Sequence, residues 1–253
     1  MKIGVFGASS EIGMAIVDRL SIEGHQVVTL GRDSSVKNRD YIFFDLENPQ
    51  QLGQLKLDSI VLLAWIGHPR SKASMELNLD GYRILADHLW KESVFPVFVS
   101  TITANNESRS FHSRTKFEVE ELFSKWGAIV RPGQVIEASG NVLGKTARDS
   151  DYLLRIGNSF RSNLAVPTIE ISDLVDSIVH LAQLQLTCRV DLIQNNQSRI
   201  KESRLRPFLT YWVFHIAVNC FAAAKFKQRR EILDRWYALI DTCPEGRAQL
   251  PPK

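Results

Sequence analysis

The order of apolar and polar positions divides the first half of the chain into alternating short strands and helices. Ile3, Val5 and Phe6 form a short apolar run that predicts a strand, and the segment from Gly7 to Gly13 predicts a loop. Ile12, Ala15, Ile16, Val17 and Leu20 then recur at helical spacing, and Gly24 closes that helix. Further strands are predicted at His25–Gly31, Tyr41–Phe44, Ser59–Ala64, Pro96–Ser100 and Ala128–Arg131, with helices at about Leu77–Lys91 and Ser113–Trp126. The run Ser59-Ile-Val-Leu-Leu-Ala64 is apolar at nearly every position, as a strand covered by helices on both faces requires. At least five alternations predict an α/β fold of the Rossmann type: a doubly wound parallel sheet with right-handed crossovers.

Beyond Val135 the alternation weakens. A Gly- and Ser-rich stretch spans Ser139–Ser150, and helices are predicted near Tyr152–Ser159 and Asp173–Gln185. The expected organisation is a nucleotide-binding domain over residues 1–136 and a small α-rich C-terminal lobe over 137–253, packed above the carboxyl ends of the strands.

The loop Gly7-Ala-Ser-Ser-Glu-Ile-Gly13 follows the first strand and opens the first helix. Glycines at such a place let backbone amides approach a pyrophosphate, and the helix N-terminus supplies positive potential. Gly7, Ser9, Ser10, Glu11, Ile12 and Gly13 are therefore candidate cofactor contacts, against the plainer reading of an ordinary strand-to-helix turn. The usual middle glycine is Ser10 here. The second strand ends in Gly31-Arg32, where an acidic residue would accept the ribose hydroxyls of NAD, and an arginine suits a 2′-phosphate. NADP is thus expected over NAD, unless Arg32 is only a solvated charge at a strand end. Asp45, just past the third strand, is placed to reach an adenine amino group.

These segments, with Asp45-Leu46, Leu63-Ala64, Asn78-Leu-Asp-Gly81, Val97-Phe-Val-Ser-Thr101, Arg131-Pro-Gly133 and Val166-Pro-Thr-Ile-Glu-Ile-Ser-Asp-Leu174, resemble the short-chain dehydrogenase/reductase superfamily over roughly residues 1–180. The nearest part of it is the extended and atypical branch of NAD-dependent epimerase/dehydratase-like proteins. The resemblance implies cofactor contacts from Leu46, Ala64 and Lys116, and an Asn78 that helps organise the active site. It also implies catalysis by a tyrosine, a lysine four residues on that binds the nicotinamide ribose and lowers the tyrosine's pKa, and a Ser or Thr that polarises the substrate.

Lys116 is in place, but His112 stands where the tyrosine would be, in Phe111-His-Ser-Arg-Thr-Lys116. Imidazole exchanges protons near neutral pH, and a neighbouring ammonium would keep it neutral and usable as a base. The alternatives are a surface residue at a helix start with hydride chemistry lost, or another acid/base group. Ser100 and Thr101, with Thr103 third, are the candidate hydroxyls; their plainer role is to finish a strand. The resemblance implies an NADP-binding epimerase, dehydratase or reductase acting on a nucleotide- or lipid-linked sugar. The rival is a non-catalytic NADP-binding sensor or scaffold that docks through its C-terminal helix.

Composition narrows the classes. The 253 residues are 44% hydrophobic and 23% charged, with a formal net charge of +3, which excludes a disordered chain and argues against a dedicated nucleic-acid binder. The three cysteines, Cys188, Cys220 and Cys243, are widely spaced and lack metal-ligand partners, and the N-terminus shows no signal-peptide core. A cytoplasmic protein without a metal site is expected. The six histidines form no HExxH pattern, and there is no GxSxG or P-loop motif.

Charge is concentrated late in the chain. Residues 199–230 hold eight Lys or Arg and one Glu, a net +7, so the rest carries −4. Between two basic clusters, Pro207–Ala224 has no formal charge and carries Phe208, Tyr211, Trp212, Phe214 and Phe221. Helix 207–224 is expected either to be buried in the lobe or in a homodimer contact, or to lie peripherally at the inner membrane face. A full span is disfavoured by its length and by His215 and Asn219 within it.

Overall fold

The computed structural model describes residues 1–32, 40–49, 52–66, 72–108, 110–137, 167–193 and Asp234. Its elements run β1 (Lys2–Phe6), α1 (Glu11–Ile22), β2 (Gln26–Gly31), β3 (Asp40–Phe43), β4 (Ser59–Leu62), α2 (Lys72–Lys91), β5 (Phe95–Val99), α3 (Phe111–Phe123), β6 (Ala128–Pro132), β7 (Gln134–Ile136), β8 (Thr168–Glu170), α4 (Ile171–Leu184) and β9 (Cys188–Leu192). Seven strands make one sheet in the order β3-β2-β1-β4-β5-β6-β9, and β7 pairs with β8 in a second, two-stranded sheet. All of these pairings are parallel.

The central strands β1, β4 and β5 are apolar and buried along most of their length because both faces are covered. On one face Ile3, Val5, Val61, Val97, Val99 and Val130 meet Ile16, Val17 and Leu20 of α1 and Leu174, Ile178 and Val179 of α4. On the other, Phe6, Leu30, Ile60, Leu62 and Phe98 meet Tyr82, Leu85 and Leu89 of α2 and Val119 and Phe123 of α3. That second face is aromatic: Tyr82 stands edge-on to Phe98 at 5.3 Å and to Phe123 at 6.2 Å between ring centroids. Burying such side chains contributes roughly 1.5–3 kcal/mol each, which is what holds two helix layers on one sheet.

The chain order fixes where a ligand can sit. From β1 the sequence proceeds outward through β2 and β3 on one side, and then returns to place β4, β5, β6 and β9 on the other. This reversal leaves the carboxyl ends of β1, β2 and β4 splayed around a crevice, since neighbouring connections run in opposite directions there.

The observed boundaries follow the periodicity closely at the core and differ at the ends. The second helix begins at Lys72 and not at Leu77, and α3 spans Phe111–Phe123, starting and stopping earlier than expected. Its start is set by Ser110, whose side chain accepts from the Ser113 amide. The main sheet takes a seventh strand, β9, from residues C-terminal to the boundary expected at 136, and α4 packs on the same sheet as α1. Helix 207–224 and the helix expected at 152–159 lie outside the described residues. Among the described residues, no helix is long and apolar enough to cross a membrane.

Candidate functional site

The crevice at the ends of β1, β2 and β4 is a cavity of about 360 Å³ lined by Phe6, Gly7, Ser9, Ser10, Gly31, Arg32, Phe44, Asp45, Leu46, Leu63, Ala64, Trp65 and Ile66. Seven of the candidate cofactor contacts therefore meet here: Gly7, Ser9, Ser10, Arg32, Asp45, Leu46 and Ala64.

Local chemistry explains why the first loop has this shape. Gly7 has φ +93°, and a Cβ there would come within 2.8 Å of the Ala64 amide nitrogen. A Cβ on Gly13 would press on the Gly7 carbonyl oxygen and lie 2.8 Å from the Ala8 Cα, so the helix can start this close to β1 only with glycine there. Ser10 is the N-cap of α1: its hydroxyl accepts from the Gly13 amide at 3.0 Å and donates to the Gly7 carbonyl at 2.8 Å. Glu11 and Ile12 carry the next two amides of the first turn, whose position leaves them without intrahelical acceptors. Ile12 itself packs on the core, so any part it plays in anion binding is through its backbone.

The far end of the cavity is charged. Arg32 Nη1 lies 3.4 Å from Glu47 Oε1 and its Nε 3.9 Å from Asp45 Oδ1. Asp45 Oδ1 also accepts from the Glu47 amide at 3.0 Å, which turns the chain after β3 back toward Arg32. An exposed guanidinium held this loosely is available to an anion brought in from solvent.

Trp65 lines the cavity and also touches two of the candidate catalytic residues. Its ring covers the Lys116 Nζ at 4.1 Å and meets the His112 ring edge-on at 5.5 Å. The backbone beneath it is pinned twice. Tyr82 donates its hydroxyl to the Ala64 carbonyl at 2.6 Å, and burial pushes that phenol's pKa up, so it remains a donor. Asn78 accepts from the Ile66 amide at 2.8 Å and donates to the Ile66 carbonyl at 3.1 Å and the Ser74 carbonyl at 2.8 Å. Asn78 thus acts on the cavity wall from behind and does not line the cavity.

Lys116 is 5% exposed, donates to the Val99 carbonyl at 2.9 Å, and has the Phe98 ring 4.7 Å from its Nζ. Burial lowers its pKa to about 7, with the Glu120 carboxylate pulling the other way. Glu120 is fully buried and holds Arg131 through two hydrogen bonds, of 2.9 and 2.5 Å, which raise the arginine's pKa and tie α3 to β6.

Ser100 and Thr101 leave the end of β5 beneath α3. The Ser100 hydroxyl is buried with no hydrogen-bond partner among the described residues. Thr101 Oγ1 lies 3.2 Å from Thr103 Oγ1, which accepts from the Ser113 hydroxyl at 2.9 Å. Neither Ser100, Thr101, His112 nor Lys116 lines the cavity. Trp65, Phe6 and Phe44 as wall residues and Glu47 as the partner of Arg32 carry no motif of their own in the sequence; Trp65 is marked there only as the neighbour of the Leu63-Ala64 pair. Among the described residues, no group of three or more His, Cys, Asp or Glu could hold a metal ion.

No protein-family model and no curated protein matches this chain in sequence. Solved structures do match in fold. The chain is similar to the UDP-N-acetylglucosamine 4-epimerase of Bacillus cereus, at 14% identity over 77% of this chain and 76% of that one, with a TM-score of 0.60. It is similar to a short-chain dehydrogenase/reductase superfamily protein of Agrobacterium tumefaciens with bound NAD, at 17% identity over 77% and 78%, with a TM-score of 0.62. A human epimerase family protein with NADPH matches at 19% identity over 76% and 74%, with a TM-score of 0.56. The fold of this chain is therefore the Rossmann-type fold seen in NAD-dependent epimerase/dehydratase and short-chain dehydrogenase/reductase structures.

Proposed function

We propose that the chain is an NADP-binding epimerase-, dehydratase- or reductase-like protein of the short-chain dehydrogenase/reductase type, acting on a nucleotide- or lipid-linked sugar. The carrying observation is the cavity that brings the Gly7–Gly13 loop, Arg32 and Asp45 together at the sheet's reversal point. The glycine loop and the first turn of α1 suit a pyrophosphate. Arg32 suits a 2′-phosphate, Asp45 an adenine amino group, and Leu46, Ala64 and Phe44 the flat faces of the adenosine. A bound nicotinamide would supply or accept hydride.

The protein's own contribution to the chemistry lies beyond Trp65. Ser100, whose buried hydroxyl has no partner among the described residues, polarises a sugar carbonyl, with Thr101 beside it. His112 moves the proton that the absent tyrosine would move. Lys116, with a pKa near 7, sits behind Trp65 and contributes an electrostatic field as well as any ribose contact. The substrate class rests on fold likeness to proteins such as the Bacillus cereus epimerase, which is analogy.

A second reading has its own observation. Lys116 is buried and covered by the Trp65 ring, so a dinucleotide can be held by the loop, Arg32 and Asp45 with no group reaching this lysine. This supports a non-catalytic NADP-binding sensor or scaffold. Turnover decides between them: NADPH- or NADP-dependent conversion of nucleotide- and lipid-linked sugars is measured for the wild type and for His112→Ala. Turnover that His112→Ala abolishes supports the enzyme, full turnover in that variant removes His112 from the chemistry, and tight NADPH binding with no turnover of any sugar favours the sensor.

A further inference from the structure

The first turn of α3 carries His112 and is held by a residue distant in sequence, Asp234. Asp234, 3% exposed, accepts the Phe111 amide at 2.6 Å through Oδ1 and the Ser110 hydroxyl at 3.1 Å through Oδ2. Ser110 is the helix N-cap and in turn accepts from the Ser113 amide at 3.2 Å. The Ser113 hydroxyl donates to Thr103 Oγ1 at 2.9 Å, which lies 3.2 Å from Thr101 Oγ1. One line of hydrogen bonds thus joins Asp234 to the candidate catalytic hydroxyl of Thr101, and it brackets His112 on both sides.

We infer that Asp234 is a positioning residue for the candidate catalytic end of the site: its carboxylate fixes the orientation of His112 by tying down Ser110 and Phe111. The physical grounds are three. A carboxylate at a helix N-terminus faces amides that have no intrahelical acceptor and a favourable helix dipole. A charge-assisted bond in a buried place is among the stronger hydrogen bonds available to a protein. A neutral N-cap, Ser110, was already sufficient to satisfy the Ser113 amide, so the added carboxylate, 124 positions away in sequence, serves to fix the turn as well as to cap it. Asp234 acts through the turn, by its bonds to the Ser110 hydroxyl and the Phe111 amide.

This inference rests on the proposed function for its catalytic meaning, and the experiment separates the two. Wild type, Asp234→Ala, Asp234→Asn and Ser110→Ala are compared as full-length chains by amide hydrogen exchange at residues 110–113, by the NMR chemical shift of the His112 ring, and by titration with NADPH. Asp234→Ala is expected to accelerate exchange at Phe111 by about tenfold or more, as the loss of one charge-assisted bond implies. It should also move the His112 ring resonances while leaving NADPH affinity within about twofold, because Asp234 is not among the residues that line the cavity. Asp234→Asn keeps one acceptor for the Phe111 amide and should restore most of the protection, which guards against misreading a general loss of folding. Exchange and ring shifts unchanged in Asp234→Ala, in a wild type that binds NADPH, overturn the inference alone. A wild type that binds no NADPH overturns the site reading, and with it the catalytic role given to Asp234.

Discussion

The Lys116 Nζ lies 4.1 Å from the centre of the Trp65 ring, and Trp65 also lines the cavity of about 360 Å³. A cation behind an indole is stabilised by the ring's quadrupole, yet burial still brings the lysine's pKa down to about 7. Below about pH 7 both the folded and the unfolded chain carry the proton, and the folded one bears the cost of a buried charge. Between about 7 and the unfolded value of 10.5 only the unfolded chain is protonated, so raising the pH through that window stabilises the fold. Lys116→Met is therefore expected to gain most relative to wild type at pH 6, and to lose that advantage progressively toward pH 10. Denaturant melts across that range test it; a difference that does not change with pH would contradict the account.

The glycine loop permits a sharper test of shape. Gly13→Ala places a methyl group against the Gly7 carbonyl oxygen and the Ala8 Cα, backbone atoms that cannot rotate away. The expected result is destabilisation of about 1–3 kcal/mol, the usual cost of overpacking, together with loss of nucleotide binding. Thermal melts and NADPH titration of the same sample measure both, and a variant that melts like wild type and binds normally would show that the loop is not packed in this way.

Glu120 is completely buried between Arg131 and Arg189, whose guanidinium lies 3.5 Å away. Replacing it with Ala leaves Arg131 largely buried without its partner, and about 3 kcal/mol of stability should be lost. Glu120→Ala in urea checks this, with Arg189→Ala as the milder companion because Arg189 is more exposed. Equal, small effects from both would mean that the network is a surface one in energetic terms.

Arg32 should act on one cofactor and not the other. Removing its guanidinium in Arg32→Ala is expected to weaken NADPH binding by about tenfold or more while changing NADH by no more than about threefold. Isothermal titration with both nucleotides measures the ratio. An equal loss for the two would assign Arg32 to the pyrophosphate or to the fold.

The parts legible in the sequence share one property: their signal is local. Ile3–Phe6, the Gly7–Gly13 loop and the Ile12–Leu20 helix follow one another within twenty residues, and their periodicities change where the structure changes. Strand β9 was not anticipated because it is an edge strand with alternating exposure, and Arg189 and Asp191 interrupt its apolar positions. The Rossmann reading and the meeting of Gly7, Ser9, Ser10, Arg32, Asp45, Leu46 and Ala64 in one cavity needed only motif and position. The stacking of Trp65 on Lys116 joins residues 51 positions apart, and the capping of α3 by Asp234 joins residues more than 120 apart. Neither has a compositional trace, since any Trp or Asp elsewhere in the chain would read the same way.

We propose that Gly7–Gly13, Arg32 and Asp45 form a working NADP site. That site is tested most directly by titrating the purified protein with NADPH and separately with NADH, following nicotinamide fluorescence and thermal stability. The account predicts tight NADPH and weak NADH binding, with NADPH at a hundred times its Kd adding about 2.7 kcal/mol to the folded state. Binding of neither nucleotide, or tighter binding of NADH, would contradict it.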